Sequence, residues 1–139
     1  MHESGIFVNA TPSRFSWFSH VYREHNQEAD YSAGRGAAGT SRGYADRRIN
    51  GKVVGLRGFF DGSGGKTSGE AAASEAGIGW VLYAWYEDSS AWTKMAHACR
   101  AMGQITSTFA ELNAMSQLVR AVDSLLCHGE FPWSKPGWN

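Results

Sequence analysis

The chain reads as an α/β domain in which a mixed sheet, three antiparallel strands plus one added strand, is packed by one main helix. Three observations carry that reading. Residues 52–126 run in the order strand, turn, strand, strand, helix. The run 77–85 is apolar on both faces, as a central strand is. Leu112, Met115, Val119, Val122 and Leu126 recur at steps of three and four, which marks one apolar helix face.

The elements follow in order. Phe15, Trp17, Phe18, Val21 and Tyr22 are aromatic and β-branched and mark the added strand. Asn26 stands where it could cap a short helix through Gln27, Glu28, Ala29 and Asp30, which Gly34 and Gly36 then interrupt. Residues 34–51 are Gly, Arg, Ala and Ser without apolar period and read as a linker. Residues 53–60 form the first strand of the main unit, and 62–76 a polar, Gly-rich connection. Residues 77–85 form its second strand, and 92–99 a weaker third, reached through a turn at 87–90. Thr108 suits a helix N-cap, and Gly129 with Pro132 ends the helix. Residues 127–139 hold two prolines and two tryptophans without period and read as a tail.

Composition bounds the function. At 139 residues, 42% hydrophobic and 19% charged, the chain suits one globular domain with a modest core. Zero net charge gives no general attraction to nucleic acid, so a binder needs a local basic patch. Arg35, Arg42, Arg47, Arg48, Lys52 and Arg57 supply one, with Asp46 the only acid among them. The stretch reads equally as a solvated linker or as an arm contacting phosphates. Cys99 and Cys127 are too few for a disulfide framework or a zinc site. No apolar run reaches the ~18 residues of a membrane span. The start has no basic segment followed by an apolar core, so the expected location is cytoplasm or nucleus, away from membranes.

Two acids stand out. Asp61 follows the apolar Phe59-Phe60 and enters a Gly-rich run, so it is either a turn residue or a carboxylate held near a core. Glu111, fifty positions on, lies three residues after Thr108, which by itself describes a capping box. A helix start packed on a sheet also aims a carboxylate at a strand end, and paired acids on rigid elements suit a hard divalent cation. Gly62-Ser63-Gly64-Gly65-Lys66-Thr67 is not a P-loop, because Phe60 occupies the position of the first glycine.

Together the pieces resemble retroelement-type ribonuclease H. Phe60-Asp61-Gly62-Ser63 with 77–82 is similar to that family's first hairpin, and Thr108-Phe109-Ala110-Glu111-Leu112 to its acidic helix start. Val21-Tyr22-Arg23-Glu24-His25-Asn26-Gln27-Glu28-Ala29-Asp30 resembles its closing strand and the helix bearing its last acid, placed here in front of the other two. The resemblance implies a partial ribonuclease H-like fold and hydrolysis of RNA in RNA–DNA hybrids. It implies two Mg²⁺ ions, or Mn²⁺ in their place, held by Asp61, Glu111 and Asp30 as catalytic ligands. Arg42, Arg47, Arg48, Lys52 and Ser63 would then contact the nucleic acid.

The family's fourth acid and the strand that carries it have no counterpart after Leu126. Two arrangements account for the order. Residues 1–33 are the end of one module and 52–126 the first half of another, as in a fragment of a retroelement polyprotein. Otherwise the domain is circularly permuted, with the strand 15–22 beside 53–60. The first is preferred, because a permuted domain should keep all its strands. The alternative in function is a non-catalytic nucleic-acid-binding remnant without a complete metal site.

Overall fold

The apolar run around Trp80 becomes the middle of the sheet. A computed structural model describes residues 3–11, 14–22, 26–46, 52–64 and 75–134, the first two segments as backbone only. Strand β5 (Ala76–Tyr86) pairs with β4 (Val53–Gly64) on one side and β6 (Thr93–Gly103) on the other. Beyond β4 lie β1 (Glu3–Thr11) and then β2 (Arg14–Tyr22); beyond β6 lies β3 (Arg42–Ala45). The order is β2-β1-β4-β5-β6-β3, and every neighbouring pair is antiparallel. Helices α1 (Gln27–Ala37) and α2 (Ser107–His128) complete the α/β architecture. Among the described residues, no helix is long and apolar enough to cross a membrane.

The expected mixed sheet is therefore corrected to an antiparallel one of six described strands. The strand beside β4 is β1, with Phe7 opposite Phe59 and Ile6 opposite Phe60, while 14–22 lies one strand further out. An antiparallel ladder needs no buried crossover between strands, so a short hairpin can extend the sheet at its edge. Packing is by two helices, one on each face, rather than by one main helix.

Alternation along β4 assigns the faces. A Cβ on Gly58 would stand 2.9 Å from the Leu118 side chain, and one on Gly62 2.8 Å from the Glu111 backbone nitrogen, so Leu56, Gly58, Phe60 and Gly62 face α2. Arg57, Phe59 and Asp61 face the other way, toward α1. On β5, Ile78, Trp80, Leu82 and Ala84 enter the core with Ala110, Ala114, Leu118, Val122 and Leu125 of α2. Gly77 and Gly79 lie under α1, where an added Cβ would fall 1.9 Å from the Ala37 nitrogen and 2.3 Å from the Ala33 nitrogen.

Close approach explains why the sequence misleads about α1. The helix was expected to stop before Gly34, yet it runs on to Ala37. A Cβ on Gly36 would lie 2.3 Å from the Arg100 carbonyl oxygen, so this glycine is where the helix touches the sheet rather than where it breaks. Ala29 and Ala33 are fully buried on the same face. The expected linker 34–51 consequently holds the end of α1 and the edge strand β3; its residues 47–51 lie outside the described set.

The buried face of α2 is rotated from the expected one: Val122 is in the core and Met115 packs against it, but the flanking leucines are not. Leu112 and Leu126 are 53% and 45% exposed, whereas Ala110, Ala114, Leu118 and Ala121 are fully buried. Alanines let the helix settle onto the glycine positions of β4, which longer side chains would prevent. Its N-cap is Thr106, whose hydroxyl oxygen accepts from the Phe109 N–H at 3.1 Å; Thr108 is a helical residue and makes no capping box with Glu111. Replacing Thr106 with Ala should cost about 1 kcal/mol of stability and Thr108→Ala under about 0.5 kcal/mol, read from parallel urea melts. The helix ends at Gly129 with φ 69°, as expected.

The expected tail is in part core. Phe131 is buried at 5% exposure, and Trp133, in a single helical turn (Pro132–Ser134), stacks on Trp80 at 5.7 Å and on Phe131 at 4.8 Å. Gly43 of β3 lies beneath the Trp133 ring, where a Cβ would stand 2.1 Å away.

Candidate functional site

Strand β4 does not end at Asp61. It continues to Gly64, and Asp61 lies within the ladder opposite Gly79. Its carboxylate is therefore fixed by a strand residue paired with β5, one position past the end of the β1 pairing, rather than presented from a turn. It points to the α1 face and is only 3% exposed.

Asn26 brings the second carboxylate to it. The residue sits at the expected cap position, but its side chain does not cap the helix. Its buried amide instead donates to the Phe60 carbonyl at 3.1 Å, one residue before Asp61. Its own carbonyl accepts from the Asp30 N–H at 3.0 Å. One side chain thus ties the first turn of α1 to the β4 backbone at the level of the acid. Asp30 emerges one turn on, placed where its carboxyl group raises the proton affinity of Asp61. Asn26 was considered in the sequence only as a cap, since nothing local indicates a partner thirty-four residues away.

Glu111 approaches from the opposite side of the sheet. Absence of a side chain at Gly62 lets the first turn of α2 rest on β4, with the Glu111 backbone directly over that glycine. Freed from capping, the Glu111 side chain is exposed, and its charge is still felt at Asp61.

These surroundings push the Asp61 carboxyl up to about 8. Burial is the largest cause, followed by the hydrogen bond and then the charge of Asp30; the charge of Glu111 adds to them. The Gly62 N–H, donating to Oδ1 at 2.9 Å, works in the other direction. Of the three acids expected from the sequence, Asp30 and Glu111 thus both act on Asp61. Among the described residues, however, no group of three or more His, Cys, Asp or Glu side chains is gathered so as to hold a metal ion. The tight unit is the Asp61–Asp30 pair, with Glu111 at its rim.

Among the described residues, those expected to contact nucleic acid, Arg42, Lys52 and Ser63, lie on or beside two different strands. Arg42 lies on the edge strand β3 with its guanidinium over the Tyr44 ring at 4.9 Å. Lys52 precedes β4 and meets Glu87 at 3.9 Å, both well exposed. Ser63 lies in β4, two residues beyond Asp61 and on the same face. Arg47 and Arg48 are outside the described residues. Arg57 points to the α1 face, its guanidinium 4.5 Å above the Trp92 ring.

A second polar cluster lies further along that face. His97 Nδ1 is 2.6 Å from Asp46 Oδ2, and its ring stacks on Tyr44 at 4.4 Å. Lys94 reaches Glu28 at 3.1 Å. Tyr83 is pushed up to about 12, mainly by burial and then by the charge of Glu28.

No protein-family model, curated protein or solved structure matches the chain.

Proposed function

We propose that the chain is a ribonuclease H-like domain whose Asp61–Asp30 pair is the centre of a metal-dependent site for phosphodiester hydrolysis in RNA–DNA hybrids. One observation carries this reading. A buried carboxyl group, that of Asp61, is set beside a second one, that of Asp30 from a separate element, an arrangement from which a stable fold gains nothing. That the pair comprises two of the three acids singled out by family resemblance supports the particular chemistry.

The residues suit a hard divalent cation such as Mg²⁺ or Mn²⁺. Both donors are oxygens, the pair is held on backbone rather than on loops, and neutralising it removes the cost of two adjacent anions. Asp61 and Asp30 would hold the cation, and Glu111 would add negative charge from the rim. Such a cation supplies Lewis-acid activation of a phosphodiester and of water. The chain's own part is to hold the two carboxyl groups in register through Asn26 and the β4 ladder. A proton occupies the pair when no cation does.

A second reading is favoured by the absence of a three-ligand group among the described residues: a nucleic-acid-binding remnant without a complete metal site. Cleavage of a labelled RNA–DNA hybrid in Mg²⁺ separates the two. We expect cleavage by the parent, a loss of at least ~100-fold in Asp61→Asn and Asp30→Asn, and a smaller loss in Glu111→Gln. Binding that falls steeply with salt, without cleavage and indifferent to Mg²⁺, would establish the remnant instead.

A further inference from the structure

Four residues before Asp61, the same face of β4 opens into a cavity of about 330 Å³. Its walls are aromatic: Phe59, Tyr83 and Trp92. Phe59 and Tyr83 meet edge to face at 6.0 Å, and Trp92 is braced against Trp85 at 5.4 Å. Over Trp92 lies the Arg57 guanidinium, and the rim is polar, with Gln27 and Glu28 from the first turn of α1. Gly55 lets Trp92 lie flat on the sheet; a Cβ there would be 3.3 Å from the indole ring.

The cavity is joined to the acid pair by the strand itself. Asp61, Phe59 and Arg57 alternate onto one face, which at about 3.3 Å per residue puts Phe59 about 7 Å and Arg57 about 13 Å from Asp61. Glu28 and Asp30 lie in the same turn of α1. A strand of nucleic acid with its backbone at the acid pair therefore has a neighbouring nucleotide within reach of the cavity. The volume admits one ring system and excludes a base pair. Aromatic walls and a planar guanidinium are the surfaces on which single bases stack.

We infer that this cavity takes the base of one unpaired nucleotide, next to the phosphodiester presented to the acid pair. The inference rests on the reading of that pair as a nucleolytic site and adds a substrate preference to it: hybrids whose cleaved strand is unpaired one or two nucleotides from the bond attacked, as at a frayed end or junction, are favoured over fully paired ones. Glu28, an acceptor at the rim beside Lys94, favours bases with an exocyclic amino group, adenine, cytosine and guanine, over thymine.

Fluorescence anisotropy in EDTA tests it without calling on cleavage. The probes are a labelled single-stranded oligodeoxynucleotide and a blunt hybrid of the same sequence. We expect the single strand to bind the parent at least ~10-fold tighter than the hybrid, and Trp92→Leu to lose about 10-fold on the single strand alone. Glu28→Gln, exposed and outside the aromatic walls, should reduce the preference for oligo-dA over oligo-dT even if Trp92→Leu does not fold. Tighter binding of the hybrid, or a folded Trp92→Leu that binds the single strand like the parent, overturns the base site. An unchanged dA over dT preference in Glu28→Gln overturns the role of Glu28. Because no metal is present, loss of cleavage with these binding differences intact would refute the nucleolytic reading and leave the base site standing.

Discussion

Asp61→Asn should make the protein more stable, with a melting temperature about 5–10 °C higher at pH 8.5. The sign follows from the raised carboxyl. An aspartate ordinarily titrates near 3.8, and Asp61 in the folded chain titrates at about 8. Between those values the folded protein binds a proton that the unfolded chain does not. Stability from this group is thus fully present below about pH 4 and is lost progressively as pH rises to about 8. Each tenfold difference in proton affinity is worth about 1.4 kcal/mol, so the loss is on the order of a few kcal/mol. Asparagine is neutral at every pH, still accepts from the Gly62 N–H and donates to Asp30. The variant should therefore be flat over that range where the parent declines. At this chain length each kcal/mol moves the melting temperature by about 3–5 °C. Melting curves at pH 5 and 8.5 would show the two proteins converging at the lower pH. Parallel pH dependence in both would mean that Asp61 is an ordinary ionised carboxylate. A stabilising substitution at a candidate site is also what a trade of stability for function produces.

Gly77→Ala should be the most damaging single methyl group in the chain. The added Cβ would meet backbone on three sides, 1.9 Å from the Ala37 nitrogen, 2.3 Å from the Gly36 carbonyl carbon and 2.4 Å from the Ala33 oxygen. Side chains could turn away, but backbone cannot, so α1 must lift from the sheet. Overpacking of this kind costs 1–3 kcal/mol and occasionally more, and here we expect at least ~3 kcal/mol. Gly34 is the matched control. It lies in the same helix with nothing within 4 Å of an added Cβ, so Gly34→Ala should stabilise by about 0.5–1 kcal/mol through helix propensity alone. The pair of substitutions, read by urea denaturation, separates contact from conformational entropy. Because α1 carries Asp30, Gly77→Ala should also lower the Asp61 carboxyl toward its ordinary value. Equal and mild effects at both positions would show that α1 does not seat on β5 this closely.

The contrast between these glycines explains what the sequence could and could not disclose. Strands β4, β5 and β6 and the end of α2 were legible because each rests on local signals, apolar runs and a glycine after the last helical turn. The inward face of α2 was legible only in part: of the periodic residues Leu112, Met115, Val119, Val122 and Leu126, Val122 is core and Met115 packs against it, while the closest contact is made by Ala110, Ala114 and Ala121. Small residues carry little hydrophobic signal and gain their meaning only from a partner without side chains, here Gly58 and Gly62. Gly36 misled for the same reason, as a breaker in isolation and a point of contact in the fold. Trp133 was placed in a tail because its partners, Trp80 and Gly43, lie far away in sequence.

The candidate site divides in the same way. Asp61, Glu111 and Asp30 were named from family resemblance, and the fold sets the last beside the first. No local pattern disclosed that Asn26 joins their two backbones, or that Glu111 is released from capping by Thr106. Of the basic residues, near one another in sequence, Arg42 and Arg57 separate because β3 and β4 lie at different places in the sheet.

Whether the acid pair is a cation site is tested most directly, and without any substrate, by calorimetric titration of Mg²⁺ at pH 7. At that pH the folded Asp61 carboxyl is mostly protonated, so binding must displace its proton. Titrations in buffers of different ionisation enthalpy should give close to one proton released per cation, with neither binding nor release in Asp61→Asn. Absence of binding at millimolar Mg²⁺, or binding that persists unchanged in Asp61→Asn, would contradict the account.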